Sequence, residues 1–514
     1  MRRKIFKYPT ITKRFFIVRH SPLRDYLNQQ QMKYLPNLLL TTLLMVAGIT
    51  ARPQAGKTVF YNVTVIDVQG NKLLKHQEVI VSGGKILAVQ PVSKKRLHAE
   101  AQFINAKGKY IVPGFWDMHA HVLLDSNYRW QFPLLLANGI IGIREMAGRD
   151  MRLAHSLKRE MQKGTLPYFH FTASGHLIDG KKVFWPGHLS APDTSTAIRL
   201  VDSLIGEKVD FIKVYSYLEP DVFGAIARRC KEKGLRFAGH VPHNVWVTKA
   251  AHAGMATMEH LYGFLIEACA YPDSAMKFRR QNSDNFEAGM SEKLRTEKAR
   301  AGETFMLNNF SESRMRGIAK VLKQNHTYVV PTLVTNRGLY FSNDTAFTND
   351  ERTSYLAEET RTFWKEIVQK ELQNHSAEDW ENFRTRYEVE KKIVKILADE
   401  NVMMMAGTDF DYAFCFPGFS LHDELALYVE CGMKPIDALR TATINPVKYL
   451  KMTDSLGTIE RGKRADFVLL NDNPLTDITN TKNIFALMNN GKLYSKDELD
   501  KLKADVRRRN NPLK

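Results

Sequence analysis

The run Ile111-Val-Pro-Gly-Phe-Trp-Asp-Met-His-Ala-His-Val122 has the pattern of an apolar strand that ends in a His-x-His pair. Residues i and i+2 of an extended strand point to the same side, so His119 and His121 present two imidazoles together. Neutral imidazole is the commonest side-chain ligand for zinc-like metals, but two histidines on a strand are also often a surface pair. The choice between these interpretations depends on the rest of the chain.

Length and composition predict a large globular protein. The chain has 514 residues, of which 44% are hydrophobic, enough for one large domain and a smaller one. The formal net charge is +19, and residues 1–55 supply +9 of it, with ten Lys or Arg and one acid. The remaining charge is spread widely, and the sequence contains no recognisable nucleic-acid-binding module. We therefore predict a basic solvated surface and no nucleic-acid partner.

The N-terminal segment has the pattern of an export signal. Residues 35–50 are mostly apolar, which is short for a membrane span of about 20 residues but suits the apolar core of a signal peptide. We assign residues 1–55 to this signal region, with cleavage after Ala51 or Ala55 and a possible true start at Met32. The protein is then expected to be exported, periplasmic or extracellular, with no stable membrane insertion after cleavage. An uncleaved signal anchor is the alternative.

The four cysteines are too widely spaced for a zinc knuckle or a disulfide-dense scaffold. Buried thiols that act as small apolar residues are the favoured interpretation. An exported chain could pair two of them, and the sequence leaves the pairing open. The residues are Cys230, Cys269, Cys415 and Cys431.

The order of predicted elements indicates an α/β protein. Residues 56–112 read as short alternating strands, whereas from residue 113 apolar strands alternate with helical stretches, as in βα units. Eight such strands predict a (β/α)8 TIM-type barrel. The candidate strands cover residues 115–122, 140–146, 168–174, 211–216, 237–241, 257–262, 328–333 and 402–408.

The predicted domains follow from these elements. The barrel covers residues 113–450, with charged, helix-favouring insertions at 270–325 and 335–400. Strand character returns near residue 462, so residues 56–112 and 451–495 are expected to form a small β-sandwich domain from both chain ends. Residues 496–514 are assigned to a C-terminal tail.

Five of the predicted strands carry a polar side chain of metal-ligand type at or near their ends. Barrel strands are buried on both faces, so such groups cost several kcal/mol unless they are paired or bound to metal. The carboxyl ends of barrel strands meet at one mouth, where such enzymes keep their chemistry. Each residue alone has an ordinary structural explanation, such as a core histidine, a helix cap or an ion pair. Together they predict one site, formed by His119, His121, Lys213, His240, His260 and Asp409.

These motifs resemble the metal-dependent amidohydrolase superfamily, within the branch of prolidases and imidazolonepropionase-like proteins. The resemblance covers residues 57–495 and implies the same barrel with a small β-sandwich. Its remaining motifs are Pro113-Gly114, Phe211-Ile-Lys213, Gly239-His240, Glu259-His260, Gly407-Thr-Asp409, Ala438-Leu-Arg-Thr-Ala-Thr-Ile-Asn-Pro446, Gly457-Thr-Ile-Glu-Arg-Gly-Lys-Arg-Ala-Asp466 and Asn473-Pro474-Leu475.

The resemblance implies a site for two divalent metal ions. His119, His121 and Asp409 would hold one ion, and His240 and His260 the other. Lys213, carboxylated by CO2 to a carbamate, would bridge the two ions, because an ammonium group cannot bind a cation. A hydroxide shared by the metals would be the nucleophile, and Asp409 would move its proton to the leaving nitrogen. Zinc is the expected metal, with manganese, cobalt or iron as alternatives.

Substrate contacts are predicted from fewer signals. Ser174-Gly175-His176 partly matches the Gly-Gly-His element of the prolidase-like branch, so His176 is a candidate contact to the substrate carbonyl. Tyr215 and Tyr217 follow the lysine and could meet a substrate carboxylate, or pack beneath the mouth. Glu145 occupies a position where relatives often have Asp, and we assign it no role in the site.

The sequence therefore predicts an exported amidohydrolase that cleaves amide-type C–N bonds of a small molecule. The expected substrate is a dipeptide such as Xaa-Pro or an N-acyl amino acid. A cyclic-amide or imidazolone hydrolase is the first alternative. A catalytically silent binding protein on the same scaffold is the second. A homo-oligomer stays open.

Overall fold

Strands and helices alternate through most of the chain in a computed structural model, which describes residues 56–93, 101–124, 128–147, 151–181, 187–410 and 412–511. The predicted signal segment lies outside these residues. Among the residues described, no helix is both long and apolar enough to cross a membrane. The strands are β1 (Thr58–Asp67), β2 (Lys72–Ser82), β3 (Lys85–Pro91), β4 (Gln102–Asn105), β5 (Tyr110–Pro113), β6 (Phe115–Ala120), β7 (Ile140–Glu145), β8 (His170–Ala173), β9 (Ile178–Asp179), β10 (Leu189–Ser190), β11 (Ile212–Val214), β12 (Phe237–Gly239), β13 (Thr257–Glu259), β14 (Tyr328–Val330), β15 (Phe467–Leu470), β16 (Ile484–Asn489) and β17 (Lys492–Ser495).

The α-helices lie mainly between the strands of the central part of the chain and beyond β14. They are α1 (Gln131–Ala137), α2 (Met151–Lys163), α3 (Thr194–Gly206), α4 (Pro220–Lys233), α5 (Val247–His252), α6 (Phe264–Glu267), α7 (Pro272–Glu287), α8 (Glu292–Asn308), α9 (Glu312–Gln324), α10 (Leu333–Tyr340), α11 (Thr345–Thr348), α12 (Glu358–Asn374), α13 (Ala377–Asp399), α14 (Phe419–Glu430), α15 (Pro435–Thr441), α16 (Ile444–Tyr449) and α17 (Lys496–Asn510). Short 3-10 helices cover Tyr128–Trp130, Glu351–Tyr355 and Ile478–Lys482.

Both ends of the described chain contribute to one eight-stranded sheet. Its order is β17-β16-β15-β5-β1-β2-β3, and β4 pairs with β1 outside this path. The chain ends join where β5 pairs antiparallel with β15, with Ile111 opposite Leu469. Apolar residues of β1 and β15, including Phe60 and Phe467, share a hydrophobic cluster of their own. The predicted return of the C-terminal segment to the first strands is thus a direct strand pairing.

The central part of the chain forms two parallel sheets. One has the order β6-β7-β8, and the other the order β10-β9-β11-β12-β13-β14. Every residue of β6 and β7 is buried, as expected for parallel strands that are covered on both faces. These strands are shorter than the sequence pattern indicates, and His121, His240 and His260 each follow the last residue of a strand. The candidate ligands therefore lie where the strands end and the loops begin.

The eighth predicted strand, residues 402–408, is an irregular segment without a continuous ladder. Its backbone is bridged to β14 at Met404 and to β6 at Phe410. Met118 N donates to Ala406 O at 2.9 Å, on the β6 side of the segment. Asp409 has a φ of 57°, outside the extended range, which bends the segment at the candidate ligand. The segment thus lies between β6 and β14, and residues 402–410 form six backbone hydrogen bonds to the two sides.

Helices occupy both regions in which the sequence indicates insertions. The first contains α7 to α9 and the second α10 to α13. Local caps explain several of their starts: Ser291 and Ser311 accept from backbone N–H groups of α8 and α9, and Ser376 forms a capping box with Asp379 in α13. All four cysteines are buried and unpaired, in agreement with the favoured interpretation.

Candidate metal centre

Three of the predicted ligands meet at the end of β6. Asp409 Oδ1 lies 3.2 Å from His119 Nε2 and 2.8 Å from His121 Nε2. One ligand atom from each of the three residues lies within 4.8 Å of the others, so the group could hold a metal ion. The backbone reinforces the arrangement, because Asp409 N donates to His119 O at 2.7 Å. The pairing of His-x-His with Asp409 follows directly from the packing of segment 402–410 against β6.

A glycine and a buried acid allow segment 402–410 to approach β6 closely. A Cβ added at Gly407 would lie 2.7 Å from His119 Cβ and 2.8 Å from His119 N, closer than real side chains come. Asp117 Oδ2 accepts from Thr408 Oγ1 at 2.6 Å, and its Oδ1 accepts from Thr408 N at 3.0 Å. Burial raises the pKa of Asp117 to about 7, although the Thr408 hydrogen bonds lower it.

A buried ion pair orients His119. His119 Nδ1 lies 2.8 Å from Glu259 Oε2, and Arg144 Nη2 donates to both oxygens of Glu259 at 3.0 and 3.2 Å. Burial raises the pKa of Glu259, but Arg144 and His119 outweigh it and lower that pKa to about 2. The ionised carboxylate fixes the proton of His119 on Nδ1, which leaves Nε2 with a lone pair for a cation. His119 Nε2 is also buried without a hydrogen-bond partner among the described residues.

His240 and His260, the second histidine pair, are oriented by hydroxyl groups rather than by a carboxylate. His240 Nδ1 lies 2.8 Å from Ser216 Oγ, and His260 Nδ1 lies 2.7 Å from Thr332 Oγ1. Their ring centroids are 4.9 Å apart, and the ring of His260 is 4.5 Å from that of His119. Burial, and after it the charge of Lys213, holds the pKa of His240 well below its usual range, and burial lowers the pKa of His260 to about 3. Both rings are therefore neutral at pH 7, as metal ligands must be.

Lys213 lies in β11 and is 1% exposed. Burial lowers its pKa from 10.5 to about 8, and the nearby Glu259 and Asp409 carboxylates raise it. Gly239 of the neighbouring strand makes room for the lysine, since a Cβ there would lie 3.0 Å from Lys213 Cδ. Within the described residues Lys213 forms no ion pair, and the nearby Glu259 pairs with Arg144 and His119 instead.

The predicted substrate contacts differ in how close they lie to the histidines. The ring of Tyr215 packs 4.0 Å from that of His240. Tyr217 stacks on Phe286 of α7, 4.2 Å between centroids. His176 Nδ1 donates to Gly187 O at 2.8 Å. Of the three, Tyr215 contacts the candidate centre directly.

Sequence reasoning missed three residues that contribute to this site. Arg144 and Glu259 lie 115 positions apart, and their pairing leaves no signal in either local pattern. The third is His188, whose ring lies 5.8 Å from that of Tyr215 and whose Nδ1 is buried without a partner in the described chain. Burial, with Lys213 and His121 nearby, lowers the pKa of His188 to about 3. A histidine that follows a loop glycine has no periodic pattern that could have identified it.

Known proteins resemble this chain in sequence and in fold. The model of the amidohydrolase family matches residues 217–494, which include His240, His260 and Asp409. Imidazolonepropionase from Desulfotalea psychrophila is 30% identical over 93 residues, 17% of this chain and 21% of that protein. The chain thus matches only about a fifth of the length of this curated relative.

Two solved structures resemble the fold over most of its length. A bottromycin amidohydrolase has a TM-score of 0.69 at 22% identity, covering 89% of this chain and 91% of that one. A Xaa-Pro dipeptidase with bound methionine in its active site has a TM-score of 0.61 at 17% identity, covering 86% of this chain and 100% of that one. At these identities the two structures show a shared fold. The family match to more than half of the sequence leads to one conclusion: the chain belongs to the amidohydrolase family.

Proposed function

We propose that the protein is an exported metal-dependent hydrolase whose substrate is a dipeptide such as Xaa-Pro or an N-acyl amino acid. The observation that carries the proposal is the approach of His119, His121 and Asp409 within 4.8 Å of one another, beside a second buried histidine pair. Family membership supports amide hydrolysis in general. The likeness in fold to a Xaa-Pro dipeptidase motivates the substrate class.

The residues present fit two divalent cations. His119 Nε2 is a buried nitrogen without a hydrogen-bond partner among the described residues, and the imidazole and carboxylate donors suit zinc first and manganese, cobalt or iron as alternatives. His119, His121 and Asp409 would hold one ion, and His240 and His260 the second. We propose that Lys213, as its CO2-derived carbamate, would be a ligand for both ions, a role supported by a buried amine with a lowered pKa. Bound cations would supply Lewis-acid activation of water and of the substrate carbonyl.

The side chains of the chain itself orient the ligands and move the proton. Burial raises the pKa of Asp409, but His260 and His119 lower it well below the usual range, so the carboxylate is ionised at neutral pH. It can therefore accept a proton from the attacking water and deliver it to the amide nitrogen as the C–N bond breaks. Glu259 and Arg144 meanwhile hold His119 in the tautomer that a cation requires.

We further propose that the parallel strands close into a (β/α)8 barrel and that the sheet from both chain ends is a small β-sandwich. Two sets of hydrogen bonds support closure. Segment 402–410 bonds to β6 and to β14, and Asp210 N donates to Ala173 O at 2.9 Å, at the gap between the two parallel sheets. A crystal structure in which these strands form an open sheet would contradict the barrel.

Metal analysis combined with a substrate panel tests the main proposal. The mature protein is purified with bicarbonate and zinc or manganese, and assayed on Xaa-Pro dipeptides, N-acyl amino acids, cyclic amides and imidazolones. We expect about two metal ions per chain and turnover of a linear amide. His240→Ala should abolish turnover, whereas His252→Ala, an exposed histidine at the end of α5, should not.

The same panel separates the alternatives. The short match to imidazolonepropionase favours a cyclic-amide or imidazolone hydrolase as the second candidate, and turnover of cyclic substrates alone would select it. A catalytically silent relative would instead be indicated by three results together. These are one metal ion per chain, metal content unchanged in Lys213→Ala, and no turnover on any substrate. Export is tested by N-terminal sequencing of the mature chain, which we expect to begin after Ala51 or Ala55.

A further inference from the structure

A cavity of about 360 Å³ opens beside His240 and extends to the inserted helices. Its inner wall includes His240 and Tyr262, and its outer wall carries Arg279 of α7, Glu303 of α8 and Arg386 of α13. A substrate that reaches the candidate centre through this cavity therefore meets charged side chains supplied by the insertions. Those side chains differ in whether the protein already neutralises them.

Arg386 is fully compensated by the protein. Its Nη1 donates to Glu303 at 3.2 Å and its Nε to Glu390 at 3.0 Å. Glu390 is itself held by Asn336, whose amide donates at 2.8 Å, and by Tyr340, whose hydroxyl donates at 3.2 Å. Arg386 therefore has two carboxylates for its one positive charge, and it has no need of a ligand.

Arg279 has no such compensation. Within the described residues it forms no ion pair with a carboxylate, and its one side-chain hydrogen bond is a long contact from Nη2 to Val241 O, 3.5 Å. Burial, and after it the neighbouring charge of Arg386, lowers its pKa to about 9. A partly buried cation beside another cation is unfavourable unless an anion joins it. Among the described residues Arg279 thus has no carboxylate at ion-pair distance, although the cavity wall as a whole carries two arginines and two glutamates.

The guanidinium of Arg279 also lies next to the candidate centre. Val241, its hydrogen-bond acceptor, directly follows His240 in the chain. A Cβ added at Gly263, three residues after His260, would lie 3.4 Å from Arg279 Nη1. The guanidinium therefore packs against the residues that follow both histidines and shares a cavity with His240.

We propose that Arg279 binds the free carboxylate of the amino acid that leaves when the amide bond is cleaved. The inference rests on the proposed function and narrows it to N-acyl amino acids and dipeptides with an unblocked C-terminus. A planar guanidinium presents paired N–H donors that match a carboxylate with two parallel hydrogen bonds. Tyr215 and Tyr217, the predicted carboxylate contacts, carry no positive charge to balance the anion, whereas Arg279 does.

The test compares each linear substrate of the panel with its own C-terminal amide. Wild type should prefer the free acid. Arg279→Met should lower kcat/KM on the acid by about 100-fold and on the amide by less than about 3-fold. Arg279→Lys keeps the charge without the paired donors. Its kcat/KM on the acid should lie between those of wild type and Arg279→Met. The matched control is Arg280→Met, an exposed arginine one position along the same helix, which should leave both values unchanged.

The outcomes separate this inference from the function it rests on. Equal turnover of acid and amide by wild type, or an equal loss on both in Arg279→Met, would overturn the carboxylate assignment while amide hydrolysis stands. Failure of wild type to cleave any panel member would instead overturn the proposed function. Thermal melts identify a variant that fails to fold, and in that event the acid-to-amide preference of wild type and Arg279→Lys decides the matter.

Discussion

At the scale of single residues, three of the four histidines of the candidate centre share one arrangement with different partners. His119, His240 and His260 each use Nδ1 for a hydrogen bond, to a carboxylate in the first case and to hydroxyls in the other two. Each ring therefore turns Nε2 away from its partner, in the manner of metal-binding histidines. The carboxylate partner of His119 needs a counter-ion of its own, because Glu259 is buried and is paired with Arg144.

Replacing Glu259 should weaken metal binding without removing a ligand. Glu259→Gln takes away the charge that fixes the His119 tautomer and leaves the Arg144 guanidinium buried without its counter-ion. We expect metal affinity to fall by about 10- to 100-fold, measured by competition with a chromogenic chelator. Glu297→Gln, an exposed acid of α8, is the matched control. Unchanged affinity in Glu259→Gln would show that the carboxylate has no part in orienting the ligand.

Lys213 gives a prediction for the metal-free, bicarbonate-free protein. Its pKa falls from 10.5 to about 8 in the folded state, mainly by burial, so protonation of the folded protein is unfavourable. Below pH 8 the lysine is protonated in both states, and folding carries the whole penalty, about 3 kcal/mol. As pH rises from 8 to 10.5, the folded amine is neutral while the unfolded amine stays charged, so the penalty fades.

Lys213→Met should therefore stabilise the metal-free protein at pH 7 by up to about 3 kcal/mol, and this advantage should vanish above about pH 10.5. Urea unfolding at several pH values measures the difference. Lys233→Met, at an exposed position near the end of α4, should produce no such trend. A Lys213→Met protein that is less stable than wild type at pH 7 would mean that the buried amine has a stabilising partner.

At the scale of elements, the sequence predicted the positions of the strands better than the side-chain contacts between distant elements. Seven of the eight strand positions of the central region correspond to observed strands, because buried parallel strands leave continuous apolar runs. The eighth differs because Asp409 adopts a left-handed backbone conformation. A run of apolar residues does not predict such a conformation. Contacts such as Arg144 with Glu259, or Arg279 with the loop after His240, depend on the packing of distant elements and have no local signal.

The close approach of segment 402–410 to β6 can be tested at Gly407. Gly407→Ala would place a methyl group 2.7 Å from His119 Cβ, so the segment must shift, and we expect a loss of about 1–3 kcal/mol in stability together with weaker metal binding. Gly317→Ala is the control, since a Cβ in that part of α9 meets nothing within 4 Å and alanine favours helix by about 1 kcal/mol. Urea unfolding and metal content report both effects. A Gly407→Ala protein with wild-type stability and metal content would contradict this account.

At the scale of the whole molecule, the candidate ligands connect distant parts of the chain. They extend from residue 119 to residue 409 and come from β6, β11, the loops after β12 and β13, and segment 402–410. In the part of the chain that the structure describes, segment 402–410 is joined to the β6 and β14 sides by six backbone hydrogen bonds, four to residues 118–121 and two to β14. A cation shared by Asp409 and the two β6 histidines would add a strong link at this point.

Metal removal should therefore lower global stability. A ligand that binds only the folded state stabilises it by about 2.7 kcal/mol at a concentration of 100 Kd, so Tm should fall on treatment with a chelator and recover when zinc is added. The double variant His119→Ala/His121→Ala lacks the first set of ligands, and its Tm should respond much less to chelator. A wild-type Tm that does not respond to chelator or zinc would contradict a metal link between segment 402–410 and β6. Because these ligands come from opposite ends of the central region, the loss should appear in the cooperative unfolding of the whole protein rather than in one local transition.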